Sequence, residues 1–254
     1  MTRCPVVRAG WLRAAAVAVV AAIALSGCQS RAGIAAVVGN TAISDSQLQR
    51  VVAEGVHDPA VRKTLGPAAA GYSQLILGRL VKHTLIAGAA RKLGVKVSDG
   101  QVDQAVTSES QRLGGRAKLV QALAGKPFQL PAGQVKPFLR DILLLDQIGQ
   151  RLISGVTFSD ADLKKFYDTH GGPQSGQTFE QLKAQAAVAA RQELANSKAQ
   201  AYVLRYLHSL RVRVNPRYGR LVPSRLFDQQ EAPVIVTAPD DLVRERSLPA
   251  PRVS

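Results

Sequence analysis

The side chains in this chain that could do chemistry are few and scattered. Its four histidines, His57, His83, His170 and His208, form no His-x-x-x-His pair and sit beside no acid-rich cluster, so their spacing offers a metal ion no ligand set. Asp160 and Asp162 come closest to a general acid/base pair, but in the first turn of a helix they are better explained as acids favoured by its dipole. Gly171-Gly172-Pro173 lacks the Gly-Lys-Ser/Thr that a phosphate cradle requires, and no Gly-x-Ser-x-Gly elbow presents a nucleophile. Asn215-Pro216-Arg217-Tyr218-Gly219 leaves two readings open. One is a binding role for Arg217 or Tyr218; the plainer one is a strand end and turn with the tyrosine packed beneath. Arg211 and Arg213 share the solvent side of a predicted strand and read as a solvated face. These readings assign no catalytic residue, no metal and no cofactor, and the chain reads as a non-enzyme.

Cys28 has the most informative surroundings. Upstream stand Arg3, Arg8 and Arg13 with no acid, followed by Ala14 to Leu25, twelve residues without a charged or polar side chain. That run is shorter than the roughly 20 apolar residues that span a bilayer, and it fits the apolar region of a secretory signal peptide. The closing Leu25-Ser26-Gly27-Cys28, small residues directly before a cysteine, resembles the lipobox of bacterial lipoproteins. The resemblance implies a signal peptide over 1–27, lipidation of Cys28 as the new N-terminus, and a lipid-anchored linker over 28–33. The expected location is the extracytoplasmic face of the cell membrane. With Cys4 lost and Cys28 acylated, no thiol remains for a disulfide, a metal or a nucleophile, so stability must come from an apolar core.

The whole chain carries 33 basic and 18 acidic side chains. Cleavage after Gly27 takes three arginines and no acid, leaving 30 against 18, a formal charge of +12. Beside a lipid anchor, such a surface suits an anionic membrane face or anionic envelope polymers. Nucleic acid, the usual partner of such charge, is not expected outside the cytoplasm. The remaining 227 residues, 254 less 27, suit one or two domains.

One grammar of helix starts organises the chain. Ile34 to Val38 and Thr41 to Ile43 are apolar and partly β-branched, separated by Gly39-Asn40, which suits a tight primed hairpin turn. Ser44-Asp45-Ser46-Gln47 follows as a capping box, in which Ser44 and Gln47 each satisfy a backbone donor, flanked by the staple pair Ile43 and Leu48. The spacing predicts a helix ending near Glu54, then a Gly/Pro-containing link, then a long apolar-faced helix from Tyr72 to Leu93 with Gly94 in the left-handed position. The grammar returns at Ser98 to Gln101 between Val97 and Val102, and at Ser159 to Asp162 between Phe158 and Leu163. Between them lie a short helix over Lys118 to Ala124 and another opened by Pro137 in its first turn. A fourth box, Thr178 to Gln181, opens a helix reaching about Ser209. At 1.5 Å per residue its roughly 31 residues extend about 46 Å, so it must cross several shorter helices or project. Leu210 to Val214 alternates with period two and reads as a half-buried strand that pairs with the N-terminal hairpin.

Three segments carry a second resemblance. Ala35 to Ser44 with its following helix, Leu75 to Val102 with the Lys-Leu-Gly helix end and Ser-Asp helix start, and Phe158 to Tyr167 are similar to the SurA/PrsA-type extracytoplasmic chaperones. The resemblance implies a mainly α fold: a SurA-N-like helical domain over 34–218, closed by a small β element formed from the N-terminal hairpin and a C-terminal strand. It departs from the foldases where a parvulin prolyl isomerase would be inserted, because 169–177 cannot hold a domain of about 50 residues. Residues 219–254, with Pro223, Pro233, Pro239, Pro249 and Pro251, read as a disordered tail with Val234-Ile235-Val236 as an isolated strand. The implied activity is a holdase for unfolded or exported polypeptides. The alternative is an adaptor lipoprotein that binds one cell-envelope partner.

Overall fold

The computed structural model describes residues 33–65, 71–228 and 234–236. The expected signal peptide over 1–27 and the lipidation site Cys28 lie outside the described residues, as does all but Gly33 of the linker over 28–33. Ala35 onward forms one unit.

Strands β1 (Ile34–Val38) and β2 (Thr41–Ser44) form the expected hairpin, with Gly39 at φ +57° where a primed turn needs a positive value. β3 (Val212–Val214) pairs antiparallel with β1, Ala36 opposite Val214 and Val38 opposite Val212, giving the order β2-β1-β3. The strand therefore begins two residues later than its alternation suggests. Gly39 N–H still donates to the Arg211 carbonyl at 3.0 Å, and Asn215 N–H to that of Ala35 at 2.9 Å. Segments more than 170 residues apart are thus closed into one small sheet.

The hairpin runs into α1 (Asp45–His57). Its capping box is half formed: Ser44 Oγ accepts the Gln47 N–H at 3.0 Å, but the Gln47 side chain does not return the bond and instead faces a groove. The boxes at Ser98, Ser159 and Thr178 are complete and open α4 (Asp99–Arg112), α7 (Asp160–Thr169) and α8 (Phe179–His208). The expected link after Glu54 contains a helix, α2 (Pro59–Leu65), started by Asp58 Oδ1 accepting the Ala60 N–H at 2.9 Å with proline at the first position. Between α4 and α7 come α5 (Arg116–Ala124) and α6 (Val135–Leu152).

α3 (Tyr72–Lys92) is the central element. Ile76, Leu77, Val81, Leu85, Ile86 and Ala89 are all buried, so the helix is apolar on several faces and must be surrounded. It packs against α1, α6 and α8. Gly94 ends it at φ +69°, with Val95 N–H donating to the Ala90 carbonyl at 2.9 Å. α8 crosses the shorter helices rather than projecting. Its first half covers α7, its middle crosses α6 through Ala195, and its end lays Ala199, Val203 and Leu207 into the main core. A smaller core gathers Val106, Leu119, Leu123, Leu130, Val135 and Leu139 from α4, α5, α6 and the loop before α6.

The boundary at 218 is corrected. β4 (Arg220–Leu221) pairs antiparallel with β5 (Ile235–Val236), so Val234-Ile235-Val236 is no isolated strand. Val222, Leu226, Ile235 and Val236 are buried, and Val234 packs on Gly78 of α3. The apolar residues after Pro216 complete the cover of α3, which composition alone hides behind prolines and charges. The rest of 219–254 lies outside the described residues.

Candidate functional site

Helices α1, α3 and α6 part around a groove of about 390 Å³, within the range of sites that take small ligands or a few side chains. α1 presents Gln47, Arg50, Val51 and Glu54. From α3 come Arg79, Leu80, Lys82, His83 and Ile86, and from α6 Pro137, Phe138, Asp141, Ile142 and Leu145. Leu130 and Gln134 of the connecting loop complete it. The floor is apolar: Val51, Leu80, Ile86 and Leu130 are buried, while Ile142 keeps 47% of its surface exposed. Charged groups form the rim.

The loop over 125–134 is held by side chains from α1 and α3. Arg79 donates to the carbonyls of Pro127, at 3.3 Å, and Phe128. Tyr72 Oη donates to the Gln129 carbonyl at 3.1 Å, and Glu54 Oε1 accepts the Gly133 N–H at 2.6 Å. Burial pushes the Tyr72 phenol up to about 12 and lowers the Arg79 guanidinium to about 10. The Arg79 Nε is buried without a hydrogen-bond partner.

His83 and Asp141 meet across α3 and α6, Nδ1 to Oδ1 2.7 Å. The Asp141 hydrogen bond raises the His83 pKa above the ordinary histidine value, against an opposing desolvation. Lys82 lies 4.7 Å from the Phe227 ring centroid, and burial lowers its pKa.

The other histidines stay apart. His57 caps its own helix by contacting the Ala53 carbonyl at 2.7 Å; His170 stacks on Phe166 with centroids 3.9 Å apart and meets Glu193 at 3.0 Å; His208 is exposed. Among the described residues, no group of three or more His, Cys, Asp or Glu could hold a metal. Asp162 closes its capping box, and Asp160 pairs with Lys183 of α8 at 2.5 Å, so both acids serve the helix start. The motif at 215–219 resolves into the plainer reading. Asn215 Oδ1 accepts the Arg217 N–H at 3.2 Å, buried Tyr218 donates to Asp45 Oδ1 at 3.1 Å, and Arg217 pairs with the same carboxylate, clamping the end of β3 to the start of α1. Arg211 and Arg213 are solvent exposed. The groove itself escaped sequence reasoning, because its walls come from residues up to 98 positions apart that share no local pattern.

Residues 7–117 match the family model of the SurA-like N-terminal domain. The chain carries a SurA-like N-terminal domain. The match spans the hairpin through α4 and enters α5; α6 to α8 and β3, which complete the helical bundle, lie beyond it. The domain is of chaperone type and not itself catalytic. No parvulin domain lies among the described residues: only nine residues, with a single 3₁₀ turn at Pro173–Ser175, separate α7 from α8. No curated protein matches this chain.

Proposed function

We propose that this SurA-like protein is a non-enzymatic holdase, lipid-anchored at Cys28 on the extracytoplasmic face of the cell membrane, that shields unfolded exported polypeptides. The observation that carries the reading is the groove between α1, α3 and α6, an apolar floor with a charged rim, two of whose walls, α1 and α3, belong to the SurA-like match. Apolar side chains of an unfolded client would gain burial there at about 25 cal/mol per Å², while the rim keeps the empty groove soluble. The lipobox-like sequence and the +12 charge of the mature chain support the location and a secondary attraction to anionic envelope polymers.

The test is aggregation of several unrelated, chemically unfolded clients in the presence of the chain from Gln29 onward, without nucleotide. Protection at near-stoichiometric ratios is expected. Ile142→Asp, which places a charge on an exposed groove wall without touching either core, should remove most of it while leaving the helical circular dichroism unchanged. Equal protection by Ile142→Asp, or protection that vanishes at physiological salt, would reassign the effect to charge adhesion. Protection of one folded partner alone would favour the adaptor.

A further inference from the structure

The rim of the groove is electrostatically lopsided. Its two carboxylates are engaged within the protein: Glu54 accepts the Gly133 N–H at 2.6 Å, and Asp141 is bonded to His83 at 2.7 Å. None of its three permanent cations forms an ion pair among the described residues, and the nearest carboxylate to Lys82, Asp141, is bonded to His83. Arg50 is exposed and unpaired there, Lys82 faces only the Phe227 ring, and Arg79 bonds only to carbonyls. Lys82, half-buried and without an ion pair, has lost hydration and regained little, so an anion placed beside it is favoured more than on the open surface, with exposed Arg50 adding its attraction. Burial and the neighbouring Arg79 guanidinium lower the pKa of Lys82, against a weaker opposing pull from Asp141.

We propose that the groove selects client segments in which a carboxylate stands next to apolar side chains, the apolar groups entering between Leu80, Phe138 and Ile142 and the carboxylate meeting Arg50 and Lys82. This rests on the chaperone reading above and names its substrate class. Arg79, tied to the 125–134 loop, holds a wall in place and adds its field. The unmatched charge also sets a bias against lysine- or arginine-flanked segments, which an apolar groove alone would accept equally.

The test uses fluorescent peptides carrying Leu-Asp-Leu-Phe-Asp-Val, the same peptide with Lys for Asp, and one with Ser for the apolar residues, titrated with the chain from Gln29 onward at physiological salt. The acidic apolar peptide should bind about tenfold tighter than its lysine counterpart, a difference of about 1.4 kcal/mol. The serine peptide should bind too weakly to measure. Arg50→Gln with Lys82→Gln should shrink the tenfold ratio to about twofold. Arg211→Gln with Arg213→Gln removes the same net charge from exposed positions at and just before β3 and should leave it unchanged.

Equal loss in both double variants would make the preference a property of the whole +12 surface and overturn the proposal. Equal binding of the acidic and lysine peptides would overturn it while leaving the holdase standing. Failure of both apolar peptides to bind would remove the groove from the holdase reading as well. A chain ended after Val236 that binds the acidic peptide more than tenfold tighter would give the groove to the protein's own Asp240-Asp241-Leu242-Val243 and overturn the assignment to clients.

Discussion

His83 shows how a residue with no sequence signal acquires a role from its neighbours. In the sequence it is one unpaired histidine on a helix; in the fold it is bonded to Asp141, 58 positions later, at the wall of the groove. Asp141 raises its pKa, while Arg140 and Arg91 oppose this more weakly. A group whose folded pKa lies above its unfolded value of about 6.5 stabilises the fold fully below that pH, and the contribution is lost as pH rises through the raised folded value. Replacing His83→Gln should therefore lower stability most near pH 5 to 6, with the gap to the unsubstituted protein closing toward pH 8. Urea unfolding at a series of pH values reads the gap, and the imidazole proton shift in NMR reads the pKa directly. The pair is 40% and 17% exposed, so the effect is modest. A His83 midpoint at or below the ordinary histidine value would contradict the assignment.

Two helix-level contacts decide how the bundle closes. α6 and α8 cross at Gly149, where an added Cβ would lie 2.4 Å from the Ala195 carbonyl oxygen, a backbone atom that cannot swing aside. Gly149→Ala would favour an isolated helix by up to about 1 kcal/mol. In this protein it should instead destabilise by about 1 to 3 kcal/mol, because the crossing must open. Chemical denaturation measures it, and a stabilised variant would show that the helices do not meet this closely. β5 is the second contact. Ile235 is 0% exposed and belongs to the main core, so Ile235→Ala should cost about 2 to 5 kcal/mol. A disordered tail would tolerate that change with no shift in the melting midpoint. The difference between those outcomes separates the composition of residues 219–254 from their packing.

For the whole molecule, the proposed function joins the groove to an anchor at Cys28 that would hold it near the membrane. Cys28→Ser should release the protein from the membrane fraction or leave it as an uncut precursor, by fractionation and N-terminal mass measurement. Processing to the same N-terminus with unchanged detergent partitioning would remove the anchor from the proposal. Within the domain, closure joins distant parts. β1 pairs with β3, and the Asp45 carboxylate binds both Arg217 and Tyr218, so the first helix cannot separate without disturbing residues 212–218.

The sequence alone determined what depends on neighbours along the chain. Helix starts are written in four residues, and the boxes at Ser98, Ser159 and Thr178 formed as their spacing requires, as did the left-handed Gly94 and the hairpin turn at Gly39. The Asp58-Pro59 start of α2 was equally local, but seven residues carry too little periodicity to stand out from a link. Closure of the sheet was legible too, because short apolar strands at both ends of a helical run need each other. Only the tertiary structure decided the groove, the His83–Asp141 pair, the unmatched cations of the rim and the place of β5. Each depends on side chains brought together by the packing of α3 against its neighbours, and distances between separate helices leave no trace in sequence spacing. Gln47 shows the boundary between the two regimes: its backbone obeys the local cap, while its side chain, which the box pattern assigns to Ser44, faces the groove.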